Sequence, residues 1–154
     1  MLIGIEALQA FALLVAANAT PVVVAKLARW RWAWPLDFGY VLRDGERLFG
    51  AHKTWRGLVA GTLASTLAAW SMGLPPWVGA GFGVAALIAD VLSSAVKRRL
   101  KLRPGTETVG LDQLGEALLP LLLFSRFLSL DAAEVVTVTV VFAALDIALA
   151  QLRH

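Results

Sequence analysis

No cysteine occurs in this sequence, which excludes a disulfide framework and any thiolate-held metal. Charge is scarce as well: 16% of the 154 residues are Asp, Glu, Lys or Arg, against 58% hydrophobic, and the mean hydropathy is +0.72. A single-layer soluble domain has no means of hiding so much apolar surface from water, so the chain belongs in a bilayer. There is no Gly-x-x-x-x-Gly-Lys-Ser/Thr phosphate loop, and no pairing of a nucleophile with a base is evident. Internal repeats and low-complexity tracts are also missing, and the polar loops are too short to fold as soluble units.

What is present is a series of apolar runs. A membrane helix needs about 20 mostly apolar residues, and the segments 2–24, 57–74, 77–96, 113–129 and 132–152 come near that length. The expected fold is therefore an all-α integral membrane protein of about five transmembrane helices, a single domain over residues 1–154. No Lys or Arg precedes the first run, and Glu6 and Gln9 interrupt it, so it reads as a retained span and not as a cleaved leader. Met72-Gly73-Leu74-Pro75-Pro76-Trp77 predicts a tight helical hairpin. The fourth run, bracketed by Glu116 and Arg126, is the weakest.

Two loops, 25–56 and 97–112, together with Arg153 carry all but Arg126 of the 14 basic residues. With five spans these cations share one side, which the positive-inside rule makes cytoplasmic. A multi-pass protein of the cytoplasmic membrane, its N-terminus outside and its active face inside, is the expectation. Gly57 to Gly61 and Gly79 to Gly83 have the small-xxx-small spacing that serves either close helix packing within the chain or a homodimer.

The residues able to carry chemistry gather on that cytoplasmic side. An intramembrane carboxylate is costly and functional by default, and Asp90 shares a helix face with Ser93, Ser94 and Lys97. That stripe suits a solvated catalytic pocket or an internal Asp–Lys pairing. Asp112 and Glu116 stand four residues apart at the start of the fourth run, as helix-terminal carboxylates or, for Asp90 with Asp112, as a pair holding Mg2+. Lys53, Thr54 and Arg56 resemble a phosphate clamp, while Trp55 and the Trp-flanked Arg29 and Arg31 read as interfacial anchors. His52 reads as a polar loop residue; Glu6, Arg126, Glu134 and Asp146 are expected in interfacial or structural roles. Phosphoryl-type transfer suits this inventory, since it needs positioning and charge neutralisation and no covalent side chain.

The blocks Ala17-Asn18-Ala19-Thr20-Pro21, Pro35-Leu36-Asp37-Phe38-Gly39, Arg43 to Gly50 with Lys53-Thr54-Trp55-Arg56-Gly57, Ala89-Asp90 to Leu100, and Leu111-Asp112-Gln113-Leu114 resemble, in order, the CDP-archaeol synthase family. The resemblance implies an integral-membrane cytidylyltransferase, related to CDP-diacylglycerol synthases, that moves CMP from CTP to a lipid phosphate with Mg2+ and releases pyrophosphate. It implies metal binding at Asp90 and Asp112, catalytic roles for these two with Lys53 and Lys97, and phosphate binding by Lys53, Arg56, Lys97 and Arg98. Asn18, Asp37 and Asp44 would shape the nucleotide pocket. The family pattern reads Gly-Asp-Gly where Gly50-Ala51-His52 stands here, and has a further Asp after Asp-Gln-Leu where Gly115-Glu116 follows, so Glu116 is the candidate replacement ligand. The expected partners are CTP, a diether or related lipid phosphate and membrane lipids, with no nucleic acid. A competing reading is a non-catalytic membrane protein, a small transporter or a scaffold binding anionic headgroups. A CDP-alcohol phosphotransferase is disfavoured, because Asp44-Gly45 continues as Glu46-Arg47-Leu48.

Overall fold

The computed structural model describes residues 4–102 and 111–151; the side chains of 111–114 and of Ala150 lie outside the description. Among the described residues there are five α-helices: α1 (Ile5–Ala28), α2 (Trp55–Ser71), α3 (Pro76–Arg99), α4 (Leu111–Phe124) and α5 (Ala132–Gln151). Among the described residues no strand forms, and isolated antiparallel bridges join Pro35 to Thr54 and Val41 to Arg47. Three helices, α1, α3 and α5, are long and apolar enough to cross a membrane. At 1.5 Å per residue α2 reaches about 25 Å and α4 about 21 Å, short of a hydrocarbon core of about 30 Å.

The helix limits differ from the apolar runs for local reasons. α1 carries on past residue 24 to Ala28, because Ala, Lys and Leu are good helix formers and the helix does not stop where the apolar run does. α4 stops at Phe124, short of 129, where the Leu130 N–H bonds back to the Ser125 carbonyl (2.8 Å) and Ser129 takes a φ of 55°. Pro76 starts α3, its missing N–H costing nothing in the first turn. Thr54 caps α2, its hydroxyl accepting the Gly57 N–H at 3.2 Å.

α3 is the central element. It packs on α1, α2 and α4 and buries Val78, Phe82, Ala85, Ala86 and Ala89. Its seam with α2 is made of small residues: a Cβ at Gly79 would run into the Ser65 carbonyl and stand 2.9 Å from Thr66 Cα, and one at Gly83 would stand 2.9 Å from Ser65 Cβ. The small-residue spacing is thus used inside the chain. Gly79→Val is expected to push α2 from α3 and cost about 1–3 kcal/mol, read as a lower thermal midpoint in detergent. Gly115→Ala, whose Cβ would enter open space, is the matched control and is expected to leave the midpoint unchanged or raise it.

The outward faces are greasy. Val59, Leu63, Leu67 and Trp70 on α2, and Val84, Ile88, Leu92 and Val96 on α3, recur at helical spacing and are exposed. An exposed apolar surface of this extent is what a helix presents to lipid.

Candidate active site

A cavity of about 890 Å³ opens among the helices, lined from α1, the α1–α2 loop, α2, α3, α4 and α5. That size lies in the range of ligand pockets. At its heart the Lys53 ammonium meets both Asp90 oxygens at 2.5 Å, with each side chain a little over one-fifth exposed. Glu116 of α4 faces Asp90 within reach of a side-chain hydrogen bond, and lies within the electrostatic reach of Lys53 and Asp146. Asp90 thus pairs directly with Lys53, and Glu116, from another helix, lies beside that pair. Lys26, Arg29, Arg56 and Lys97 extend the positive lining, and Asn18, His52 and Thr54 add neutral polar groups.

Lys53 owes its place to the loop that precedes α2. The Leu36 N–H donates to the Lys53 carbonyl (2.8 Å) and the Trp55 N–H to the Trp34 carbonyl (3.0 Å), a two-rung clip that fixes the backbone on both sides of Thr54. Behind it stands Asp37, its side chain fully buried. Asp37 Oδ1 accepts from Arg47 Nη2 (2.6 Å) and the Gly39 N–H (3.0 Å); Oδ2 accepts from the N–H groups of Phe49 (3.2 Å) and Gly50 (3.1 Å). Burial pushes this carboxyl up, but the Arg47 guanidinium and the three backbone donors outweigh it and hold it at about 2.

The expected site residues therefore divide. Asn18, Lys53, Thr54, Arg56, Asp90, Lys97 and Glu116 all line the cavity. Within it, Arg56 Nη1 donates to the Arg29 carbonyl (3.0 Å) and to that of Arg31, tying α2 to the end of α1, while its Nε is buried without a partner. Asn18 donates to the Leu14 carbonyl one turn back (3.1 Å). Asp37 and Asp44 stand off the cavity lining: Asp37 bolts the loop, and Asp44 pairs with Arg99 at 2.8 Å. Arg98 is buried in the bundle, also off the lining. The Asp112 side chain lies outside the described residues.

The polar stripe on α3 is narrower than its spacing suggested. Ser93 and Ser94 are buried, and the Ser93 hydroxyl donates to the Asp90 carbonyl at 2.9 Å. Asp146 was expected in an interfacial or structural role, whereas α5 brings it to the cavity wall beside Phe142, Leu145 and Leu149. Its signal was there: these four recur at helical spacing with a single charge among them.

Comparison with known proteins agrees with this architecture. A family model for CarS-like CDP-archaeol synthase matches residues 10–74. CDP-archaeol synthases of Pyrobaculum calidifontis and Thermococcus onnurineus are 35% and 34% identical to this chain, covering 89% and 81% of it and 87% and 76% of their own lengths. The chain belongs to the CDP-archaeol synthase family. The Thermofilum pendens synthase is 39% identical over 129 residues, and the chain spans 63% of that relative's length. A solved structure, described as that of an intramembrane enzyme for archaeal membrane lipid biosynthesis, superposes with a TM-score of 0.75 at 34% identity over 94% of this chain and 92% of the other. An all-helical membrane fold shared with that enzyme follows.

The family's nucleotidyl transfer implies a divalent cation, and the donor set fits one. Among the described residues no group of three His, Asp or Glu stands together for a metal. Mg2+, however, commonly takes only one or two carboxylates and completes its shell with water and substrate phosphates. Asp90 and Glu116 facing each other supply such a pair of hard oxygen ligands.

Proposed function

We propose that this protein transfers CMP from CTP to a membrane lipid phosphate of the archaeal diether type, giving a CDP-activated lipid and pyrophosphate. The Lys53–Asp90 pair, faced by Glu116 in a cavity ringed with cations, is the observation that supports this reading. Lys53, Lys97 and the free Nε–H of Arg56 would hold triphosphate and lipid phosphate, with Asn18 beside the nucleotide. Asp90 and Glu116, with Asp112 as a further candidate, would hold Mg2+, which when bound supplies neutralisation of the phosphate charge.

The lipid phosphate oxygen forms a bond to the α-phosphorus of CTP as the bond from that phosphorus to the bridging oxygen breaks, and pyrophosphate leaves with the electron pair. No general base is needed, because the attacking phosphate is already ionised. The chain's own part is positioning and charge offset. Lys53 is well placed for both, since its ammonium stands beside Asp90 on the cavity lining. We place the cavity mouth on the cytoplasmic face, where the basic loops gather.

The direct test offers α-labelled CTP to the purified protein with diether and diacyl lipid phosphates in parallel, with and without Mg2+. Mg2+-dependent label in the organic phase, greater with the diether acceptor, is the expected result. No label with either acceptor, in folded protein, would remove the reading.

A further inference from the structure

The aromatic rings of the segment 30–40 are turned out of the fold. Trp30 is 82% exposed, Trp32 68%, Trp34 71%, Phe38 78% and Tyr40 63%, although such rings carry some of the largest apolar surfaces of any side chain. Two of them stand there against backbone preference. Trp32 and Phe38 take φ of 52° and 48°, a left-handed conformation that strains a bulky residue. At such exposure, packing within the fold does not offset that strain.

Hydrogen bonds fix the depth of this segment. The 24 residues of α1 span about 36 Å at 1.5 Å each, more than a hydrocarbon core of about 30 Å, so the end at Ala28 reaches the headgroup layer. From there the chain is kept from rising into water. The Arg29 and Arg31 carbonyls accept from Arg56 Nη1 in the first turn of α2, and the Trp34 carbonyl accepts from the Trp55 N–H. Residues 29–34 therefore lie across the joined ends of α1 and α2.

The charge at this level has one sign. Lys26, Arg29, Arg31 and Arg43 are exposed, and the only acid between residues 25 and 43 is Asp37, which is buried against Arg47. Arg31 also lies over the Trp32 ring, 5.6 Å from its centroid. Rings interleaved with arginines are complementary to the boundary where hydrocarbon meets anionic headgroups, the rings entering it and the guanidiniums reaching phosphate.

We propose that residues 29–43 dock into the headgroup layer as a binding surface for anionic phospholipid, and that this docking orders Lys53 and Arg56 behind it. The mechanical link is short. The carbonyls that hold Arg56 belong to Arg29 and Arg31, and the clip that seats Lys53 runs through Trp34 and Leu36. Anionic lipid outside the cavity thus steadies two cations inside it. The lipid bound here is a neighbour and not the acceptor, so its binding does not depend on the reaction that the cavity performs.

The chain has no native cysteine, so a nitroxide on Trp32→Cys reports a single position. In nanodiscs holding one copy, that label is expected to collide more with oxygen than with a water-soluble nickel chelate. The reverse order, as for a loop in water, would overturn the docking. Shielding that appears only with two copies per disc would overturn it in favour of contact between chains. Hydrogen exchange of the unlabelled protein gives the second readout. The Leu36 and Trp55 amides are expected to exchange about tenfold more slowly in discs with about one-third phosphatidylglycerol than in phosphatidylcholine alone. Arg29→Gln combined with Arg31→Gln should abolish that difference. Lys53→Met, which removes the cation beside Asp90 and leaves the backbone clip, should keep it; its loss there would move the lipid into the cavity and overturn the surface site. Equal exchange of the native protein in both lipids, or a difference that survives in the arginine variant, would refute the docking surface as well.

Discussion

Asp90→Asn is expected to lower cytidylyl transfer about 10²–10³-fold while the protein stays folded and extractable, a loss of the size seen when a preorganised charge-stabilising group is removed. The amide keeps the shape of the carboxylate, so α3 packs as before, but the charge that holds Lys53 and would hold Mg2+ is gone. Lys53→Met makes the complementary cut and is expected to cost a similar factor. If the two act as one unit, the double variant falls no further than the worse single one. Steady-state kinetics with CTP and lipid phosphate varied separately reads this, and divalent-cation binding measured without CTP gives a second signal, which Asp90→Asn weakens and Lys53→Met does not. Full turnover in Asp90→Asn would remove this carboxylate from the reaction.

The same pair shows what sequence alone makes legible. Asp90 was conspicuous as an acid inside an apolar run, and Lys53 as a cation at the threshold of another, because burial of charge is a cost that composition exposes. Their pairing was not legible. Helical spacing offered Lys97, seven residues on along the same face, whereas the structure gives Asp90 a partner 37 positions back, delivered by the clip between Leu36 and Lys53. Periodicity ranks neighbours within a helix and is silent about which loop folds over its end. Asp146 was given an interfacial or structural role for the same reason, since an acid in the last apolar run joins the site only when α5 turns it to the cavity wall. Helix content, by contrast, follows from composition and length, while the ends shifted by a few residues, most at Ala28 and Phe124 and also at Trp55, Ser71 and Arg99, where local propensity and turn chemistry decide.

Asp37 carries the other large expectation, and it concerns the loop and not the reaction centre. Its carboxylate accepts four hydrogen bonds, two on each oxygen. Asp37→Asn turns one oxygen into a donor, which would then face either the Phe49 and Gly50 N–H groups or those of Gly39 and Arg47. Two buried donors left against a third cost about 1–3 kcal/mol, so the segment 37–50 should open locally and Lys53 lose its fixed approach to Asp90. The expected signature is faster hydrogen exchange at the Phe49 and Gly50 amides together with reduced turnover, while the thermal midpoint of the helical bundle moves little. Acidity gives an independent check. The carboxyl sits at about 2 in the folded loop against 3.8 for the ordinary group, so its contribution is complete above pH about 4 and is lost as pH falls toward 2. That difference is about 2 kcal/mol, roughly thirtyfold in the opening equilibrium. Exchange at Phe49 and Gly50, corrected for its intrinsic pH dependence, should accelerate by this factor over that window in the native protein. In Asp37→Asn, which has no proton to gain there, the same amides should show no such step, and a step of equal size in both proteins would assign the acid sensitivity to another carboxylate.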